Sequence, residues 1–385
     1  AEGAVLLNAA TGEVLYGKNQ DQQFYPASIT KLMTALLVLE KAKLDDKVTF
    51  SKTAVTDLEA GAVKIGLVEG DQVAVKDCLY ALLLKSANEV ANGLAEHVSG
   101  SISGFSELMN ARARELGCTN THFVNPNGLN SDEQYTTCRD MAKIAAACAA
   151  NETFAQVAGS TTYTLGQTNF HSEQRTISSS NPLMDASGAY YKDSVKWVKG
   201  GFTTLAGRCA VALAQKDGHT YGLVILGSDS NEHLYSECDE LFDWAFASFA
   251  DRPLVDTQTV VTTVDLTKCR THPEVELYAA APVSGYGHAD DKVSYSFDLP
   301  ESVSATVKEG QKLGTATVYL DGYEVGQVDL VTHREYVSDF RTDIKATLLL
   351  LCALILILCA LGFVTLRCGG GLTLNQRRRQ MKKRR

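Results

Sequence analysis

The sequence predicts an α/β (α+β) first domain with helices flanking an antiparallel sheet, then a small all-β domain, then one membrane-spanning helix. Three observations carry this. Strand patterns stand at both ends of residues 1–250 with helical patterns between them. Strict alternation dominates residues 255–331. An uncharged apolar run fills residues 346–366, ahead of a basic tail.

In order along the chain, residues 4–8 and 14–18 flank a turn at Ala10-Thr11-Gly12 and read as a hairpin. A helix opening at Ser28 follows, with Leu32, Met33, Leu36, Leu37 and Leu39 as its apolar positions. Residues 45–75 are mixed, with turn signals at Glu59-Ala60-Gly61 and Glu69-Gly70-Asp71. Helical periodicity then runs over 77–117, a tight turn falls at Asn125-Pro126-Asn127-Gly128, and an alanine-rich helix covers 137–151. After Lys199 the period becomes that of strands. Residues 209–215 and 221–227 are joined by Lys216-Asp217-Gly218-His219, a hairpin signature. An amphipathic helix over 232–249 turns Leu234, Leu241, Phe242, Ala245 and Phe249 inward. Asp251-Arg252-Pro253 opens the second region, in which Asp321-Gly322 links two more strands. The expected domains are 1–250 and 251–335, with a stalk at 336–345, a span at 346–366 and a cytoplasmic tail at 367–385.

The 21 residues of that span match the ~20 needed to cross a bilayer. Beyond a glycine hinge at 369–371, the tail ends Arg-Arg-Arg-Gln-Met-Lys-Lys-Arg-Arg. Basic residues beside a span stay cytoplasmic, so the catalytic part is expected outside the cell, anchored through its C-terminus, with the tail near anionic lipid. An external domain needs a leader, expected to have been removed ahead of Ala1. Residues 346–385 hold 8 of the 36 lysines and arginines and none of the 45 acids. The preceding part thus sets 28 basic against 45 acidic residues, a formal charge of −17. That balance argues against nucleic acid as a partner.

Ten cysteines form no recognisable framework. Three belong to the membrane helix and its edge, and the other seven are irregularly spaced, mostly in apolar runs, so buried thiols are expected. The eight histidines are scattered and no metal-ligand spacing occurs, so neither a metal nor another cofactor is expected.

Three short elements carry chemistry. Ser28-Ile29-Thr30-Lys31 is the chain's one Ser-x-x-Lys. Residues three apart share a helix face, so Lys31 can meet Ser28, and a serine hydroxyl needs such a base to become a nucleophile. The helix start also offers free backbone N–H groups to a developing oxyanion. Ser86-Ala87-Asn88 lies between two helical patterns, where a rigid turn can aim both side chains at Ser28. A second Ser-x-Asn stands at 179–181, in a serine-rich loop. Lys199-Gly200-Gly201 precedes the strand pair. This order is that of β-lactamases and penicillin-binding proteins.

The surrounding segments resemble those of the serine-type D-Ala-D-Ala carboxypeptidases, the low-molecular-mass penicillin-binding proteins, over residues 4–250. Tyr25-Pro26-Ala27-Ser28-Ile29-Thr30-Lys31-Leu32-Met33-Thr34-Ala35-Leu36 is similar to the family's nucleophile segment. Thr121-His122-Phe123-Val124-Asn125-Pro126-Asn127-Gly128-Leu129 is similar to its central segment. The resemblance implies a transpeptidase-like fold acting on peptidoglycan stem peptides that end in D-Ala-D-Ala, with β-lactams as covalent inhibitors. It implies Ser28 as nucleophile and Lys31 as its base. Ser86 relays a proton to the leaving D-alanine, and Asn88 holds Lys31 and the substrate amide. Lys199 stays charged to orient Ser86 and the carboxylate. Gly200, Gly201, Phe202 and Thr203 form the substrate-binding strand, with the N–H groups of Ser28 and Phe202 as the oxyanion hole. For Lys31 to be neutral, burial and Lys199 must bring it down from about 10.4.

Two departures stand out. The family usually has Lys-Thr-Gly where this chain has Lys199-Gly200-Gly201, and the nearest following hydroxyl is Thr203. Related enzymes place an arginine near the start of the domain's last helix, where this chain has Asn231-Glu232-His233-Leu234, which makes His233 a candidate substitute. Three other functions share parts of the pattern: a DD-endopeptidase, a β-lactamase-like hydrolase and a catalytically weak wall-binding or regulatory protein. Against the second, residues 88–199 hold no Glu-x-x-Leu-Asn-like segment for deacylation.

Overall fold

The computed structural model describes residues 1–179 and 181–369, and the chain divides into two compact units, Ala1–Ser248 and Phe249–Arg385. The basic tail at 377–385, most of the glycine hinge and Ser180 lie outside the described residues.

The first unit opens with the expected hairpin, β1 (Gly3–Asn8) and β2 (Val14–Lys18). Asn8 Oδ1 accepts the Ala10 N–H at 2.9 Å, an Asx turn that reverses the chain. A 3-10 turn (Ala27–Thr30) leads into α1 (Lys31–Lys41). Every residue of α1 from Lys31 to Val38 is buried, which explains why its apolar residues go round the helix instead of forming one stripe. Next come β3 (Lys47–Thr49), α2 (Lys52–Thr56) and β4 (Gln72–Ala74), with β3 and β4 paired. These strands of three residues occupy the stretch that reads as mixed in the sequence.

The helical section comprises α3 (Val75–Leu84), α4 (Asn88–Ser99), α5 (Ile102–Glu115), α6 (Cys138–Ala149) and α7 (Glu152–Ala158). Side-chain caps set three of the starts: Ser101 accepts from Gly104 N, Thr137 from Asp140 N and Asn151 from Phe154 N. A small hairpin, β5 (Thr162–Leu165) and β6 (Arg175–Ser178), precedes β7 (Val195–Thr203), β8 (Gly207–Lys216), β9 (His219–Ser228) and α8 (Asn231–Ser248).

The main sheet has five strands in the order β2-β1-β9-β8-β7, all antiparallel. Alternation along β9 serves two layers. Val224 and Leu226 join the core around α1 and α6, while the Tyr221 ring packs on Phe246 of α8. With both faces covered, β8 is apolar without a break from Cys209 to Ala212. Strand β7 is an edge, so one row of its backbone groups is left to face a ligand.

The second unit contains β10 (Phe249–Val255), β11 (Val260–Thr267), β12 (Glu274–Ala279), β13 (Val283–His288), β14 (Val293–Asp298), β15 (Ser302–Ser304), β16 (Lys312–Leu320) and β17 (Tyr323–Val331). β10 pairs with β13, and the rest form a six-stranded sheet in the order β14-β16-β17-β12-β11-β15. Val264, Val275, Leu277, Val318 and Leu330 are among its core residues.

Helix α9 (Asp339–Gly369) includes Ile344–Val364, which has a mean hydropathy of 3.0 and is long and apolar enough to cross a membrane. Here the chain departs from the stalk expected at 336–345. Tyr336 is 2% exposed and bridges Val307, Ser338 Oγ donates to Lys268 O at 3.0 Å, and the helix starts at Asp339. The Asp339 carboxylate accepts the N–H groups of Arg270 at 2.8 Å and Thr271 at 3.1 Å, which ties the start of the helix to the β unit. An acid in the first turn also suits the helix dipole.

Candidate active site

Ser28 stands at a strained place. Ala27 before it has φ +47° without being glycine, at a typical cost of about 1–3 kcal/mol. The turn is held from below by Gly128, whose φ is +84° and where a Cβ would lie 1.9 Å from Ala27 O. Side chains other than hydrogen are therefore incompatible with this approach. The half-buried Ser28 Oγ faces Lys31 Nζ at 2.9 Å, one turn on, as the spacing requires.

Lys31 is fully buried, and its Nζ has two further acceptors: Asn88 Oδ1 at 2.8 Å and Asn127 O at 2.5 Å. Asn88 opens α4 and is itself fixed by donating Nδ2 to Val63 O at 3.0 Å. Asn127 Nδ2 is held by Asn92 Oδ1 at 2.9 Å. Burial, reinforced by the charge of Lys199, holds Lys31 well below the ordinary lysine range, and Glu89 opposes this. The Glu89 carboxyl is pushed up by burial while accepting the N–H groups of Ile65 at 2.6 Å and Gly66 at 3.0 Å.

Ser86 closes the gap between α3 and α4 with φ +60°, a second left-handed non-glycine residue beside the cleft. Lys199 Nζ, on β7, donates to Ser86 Oγ at 3.0 Å and to Gly200 O at 2.6 Å. Burial alone pushes Lys199 down to about 7. Burial thus lowers both lysines, and Lys31 is lowered further by the charge of Lys199.

These groups line or underlie a cleft of about 650 Å³. Gly201 runs beside the Ser28 turn, where a Cβ would stand 2.7 Å from Ser28 N. Gly200 has ordinary room: the atoms nearest a Cβ there are Asn181 Nδ2 at 3.6 Å and Cys209 O at 3.9 Å. Phe202 is 56% exposed on the rim. Thr203 lines the cleft, but its Oγ1 accepts the Ala206 N–H at 3.1 Å and shapes the following turn. The second Ser-x-Asn also reaches the cleft through Ser179 and Asn181, whereas Ser86 is the one bonded to Lys199. His233 does not fill the place of an arginine: it is exposed, pairs with Asp229 at 2.6 Å and is absent from the cleft wall. Two neighbours of the set have no signature in the sequence. Asn127 meets Lys31 Nζ through its backbone carbonyl, and Arg208 reaches the cleft from β8, opposite Phe202.

A serine at a helix start, joined by hydrogen bonds to one buried lysine and faced by a second lysine–serine pair, defines the class of active-site-serine, penicillin-binding peptidases. The chain belongs to the D-alanyl-D-alanine carboxypeptidase family, whose family model matches residues 1–230; the model for the C-terminal domain of penicillin-binding protein 5 matches residues 249–338. The D-alanyl-D-alanine carboxypeptidase DacF of Bacillus subtilis (strain 168) is 30% identical over 357 residues, covering 90% of this chain and 89% of its own. The D-alanyl-D-alanine carboxypeptidase DacC of Escherichia coli (strain K12) is 31% identical over 344 residues, covering 86% and 83%. The crystal structure of penicillin-binding protein 5 from Haemophilus influenzae superposes with a TM-score of 0.64 at 25% identity, over 88% of this chain and 98% of that one.

Proposed function

We propose that this protein removes the terminal D-alanine from peptidoglycan stem peptides through an acyl-enzyme on Ser28. The observation that carries the mechanism is the surroundings of Lys31 Nζ. A neutral amine has two N–H bonds and one lone pair. With the two N–H bonds donated to Asn88 Oδ1 and Asn127 O, the lone pair is left for the Ser28 hydroxyl. Desolvation supplies the neutral form.

Ser28 Oγ attacks the carbonyl between the two D-alanines and its proton passes to Lys31 Nζ. The N–H groups of Ser28 and Phe202 receive the oxyanion. Ser86 relays the proton from Lys31 to the departing nitrogen, with Lys199 holding the Ser86 hydroxyl in line. Lys31 is neutral again when water arrives, takes a proton from it, and returns that proton to Ser28 as the ester opens. β-Lactams present the same acyl chemistry and acylate Ser28. Gly201, Phe202 and Thr203 shape the strand along which the peptide lies. The apolar helix α9 anchors the enzyme, with the basic tail on the cytoplasmic side and the first unit outside the cell.

Intact-protein mass after benzylpenicillin tests this, together with D-alanine release from a D-Ala-D-Ala peptide. The wild type gains one adduct and releases D-alanine, and Ser28→Ala does neither. An adduct that persists in Ser28→Ala refutes the assignment.

A further inference from the structure

The substrate of the proposed reaction ends in a carboxylate, yet the residues that would ordinarily meet it are missing here: position 200 is glycine and His233 is turned away on Asp229. We propose that Arg208 and Asn181 form a replacement subsite for that carboxylate, on the two sides of Gly200-Gly201-Phe202. This rests on the reading above and names what holds the leaving end of the peptide.

Asn181 stands where a side chain at position 200 would reach, with Nδ2 3.6 Å from the Cβ position of Gly200. Its Oδ1 accepts the Leu183 N–H at 3.1 Å, which fixes the amide and leaves the NH₂ group toward the cleft. Among the described residues that NH₂ has no acceptor.

Arg208 lies opposite Phe202 in the β7–β8 ladder, and its guanidinium sits over the Phe202 ring at 4.7 Å from the centroid. An aromatic platform fixes the plane of the guanidinium fork, the geometry that suits bidentate binding of a carboxylate. Among the described residues Arg208 has neither a hydrogen-bond acceptor nor an acidic partner, although the chain carries 45 acids. Glu59, the acid on the cleft wall, is occupied by Asn130 N at 2.8 Å and Asn130 Nδ2 at 3.1 Å. A guanidinium on a cleft wall with no acidic partner of its own is set up for an anion brought by the ligand. Gly201 passes against Ser28 N, so a peptide whose scissile carbonyl lies at Ser28 carries its terminal carboxylate only a few bonds further along the same strand. The β-lactam carboxylate falls under the same chemistry.

The test uses the full chain in detergent, with diacetyl-L-lysyl-D-alanyl-D-alanine and its C-terminal amide as paired substrates. Arg208→Ala lowers kcat/KM for the acid by about ten- to a hundredfold and Asn181→Ala by about three- to tenfold, while the amide changes less than twofold in both. Arg208→Lys restores part of the loss on the acid. Equal losses on acid and amide, or no loss on the acid, overturn the proposal. A second measurement is independent of turnover: calorimetric binding of the two peptides to Ser28→Ala with and without Arg208→Ala. Acid binding that does not depend on Arg208, or no preference for acid over amide, also overturns it. If the wild type takes up no benzylpenicillin, the enzymatic reading fails, and the binding comparison still decides the subsite.

Discussion

A Cβ on Gly201 would stand 2.7 Å from the backbone nitrogen of Ser28, closer than such atoms approach, and 3.1 Å from Ala27 Cβ. The edge strand β7 and the Ser28 turn are therefore spaced for hydrogen at this position. Gly201→Ala must push them apart, and displacements near 1 Å cost about 100-fold in rate. The expected outcome is at least a 100-fold slower acylation by a fluorescent penicillin in a protein that still folds. Strain of this kind destabilises by about 1–3 kcal/mol. Circular dichroism melting checks the fold, and stopped-flow labelling checks the rate.

The two lysines predict a bell-shaped pH profile for acylation. With Lys31 as the proposed base, the rate rises with pH as its depressed ammonium loses a proton. With Lys199 proposed to work through its charge, the rate falls as pH passes the value of about 7 to which burial pushes it. Lys199→Arg keeps a cation at every accessible pH. The alkaline limb in kcat/KM should then move beyond pH ~9, while the rate at the optimum drops about tenfold because the guanidinium fits the ammonium's place poorly. An alkaline limb that stays near neutrality in Lys199→Arg would assign it to another group.

What was legible in the sequence follows what has a side-chain signature. Ser28, Lys31 and Asn88 form one hydrogen-bonded group and Ser86 and Lys199 a second beside it, because short motifs place them at ends of elements around one cleft. The hairpins at β1–β2, β8–β9 and β16–β17 stand where their turn residues put them. Asn127 was out of reach because a backbone carbonyl looks the same at every position. Arg208 was missed because strand register, not sequence spacing, brings it opposite Phe202; pairing β7 with β8 through the Thr204-Leu205-Ala206 turn was the available signal. His233 misled because an acid four residues earlier, Asp229, takes its imidazole. The expected stalk failed because Tyr336 and Asp339 bond back to the β unit.

Gly200 offers a gain of function. A Cβ there meets nothing closer than 3.6 Å, so the first atom of the side chain in Gly200→Thr is accommodated in ordinary contact with Asn181. A hydroxyl beside Asn181 adds one hydrogen bond to a carboxylate, worth about 1 kcal/mol, or roughly fivefold. The expected result is a two- to tenfold higher kcat/KM on the D-Ala-D-Ala acid with little change on the amide. Steady-state D-alanine release for the two substrates reads this directly, and a fall on both would mean that the cleft is too narrow at β7 for the added side chain.

The apolar helix makes the last prediction. Its large side chains from Leu348 to Leu358 are more than half exposed, a surface that water does not tolerate over such a length. Burying a run of 21 residues at mean hydropathy 3.0 in hydrocarbon satisfies it. A stop codon at position 344 should therefore move the protein from the carbonate-resistant membrane fraction to the soluble fraction. Penicillin labelling should survive, because Ser28, Lys31, Ser86 and Lys199 all belong to the first unit. Ending the chain at 335 instead also removes Tyr336 and Asp339, which bond to Val307, Arg270 and Thr271 of the β unit. That shorter chain should be cut faster by protease within the β unit while labelling at the same rate. Equal protease resistance in the two truncations would show that the contacts around Asp339 contribute nothing to the fold they close.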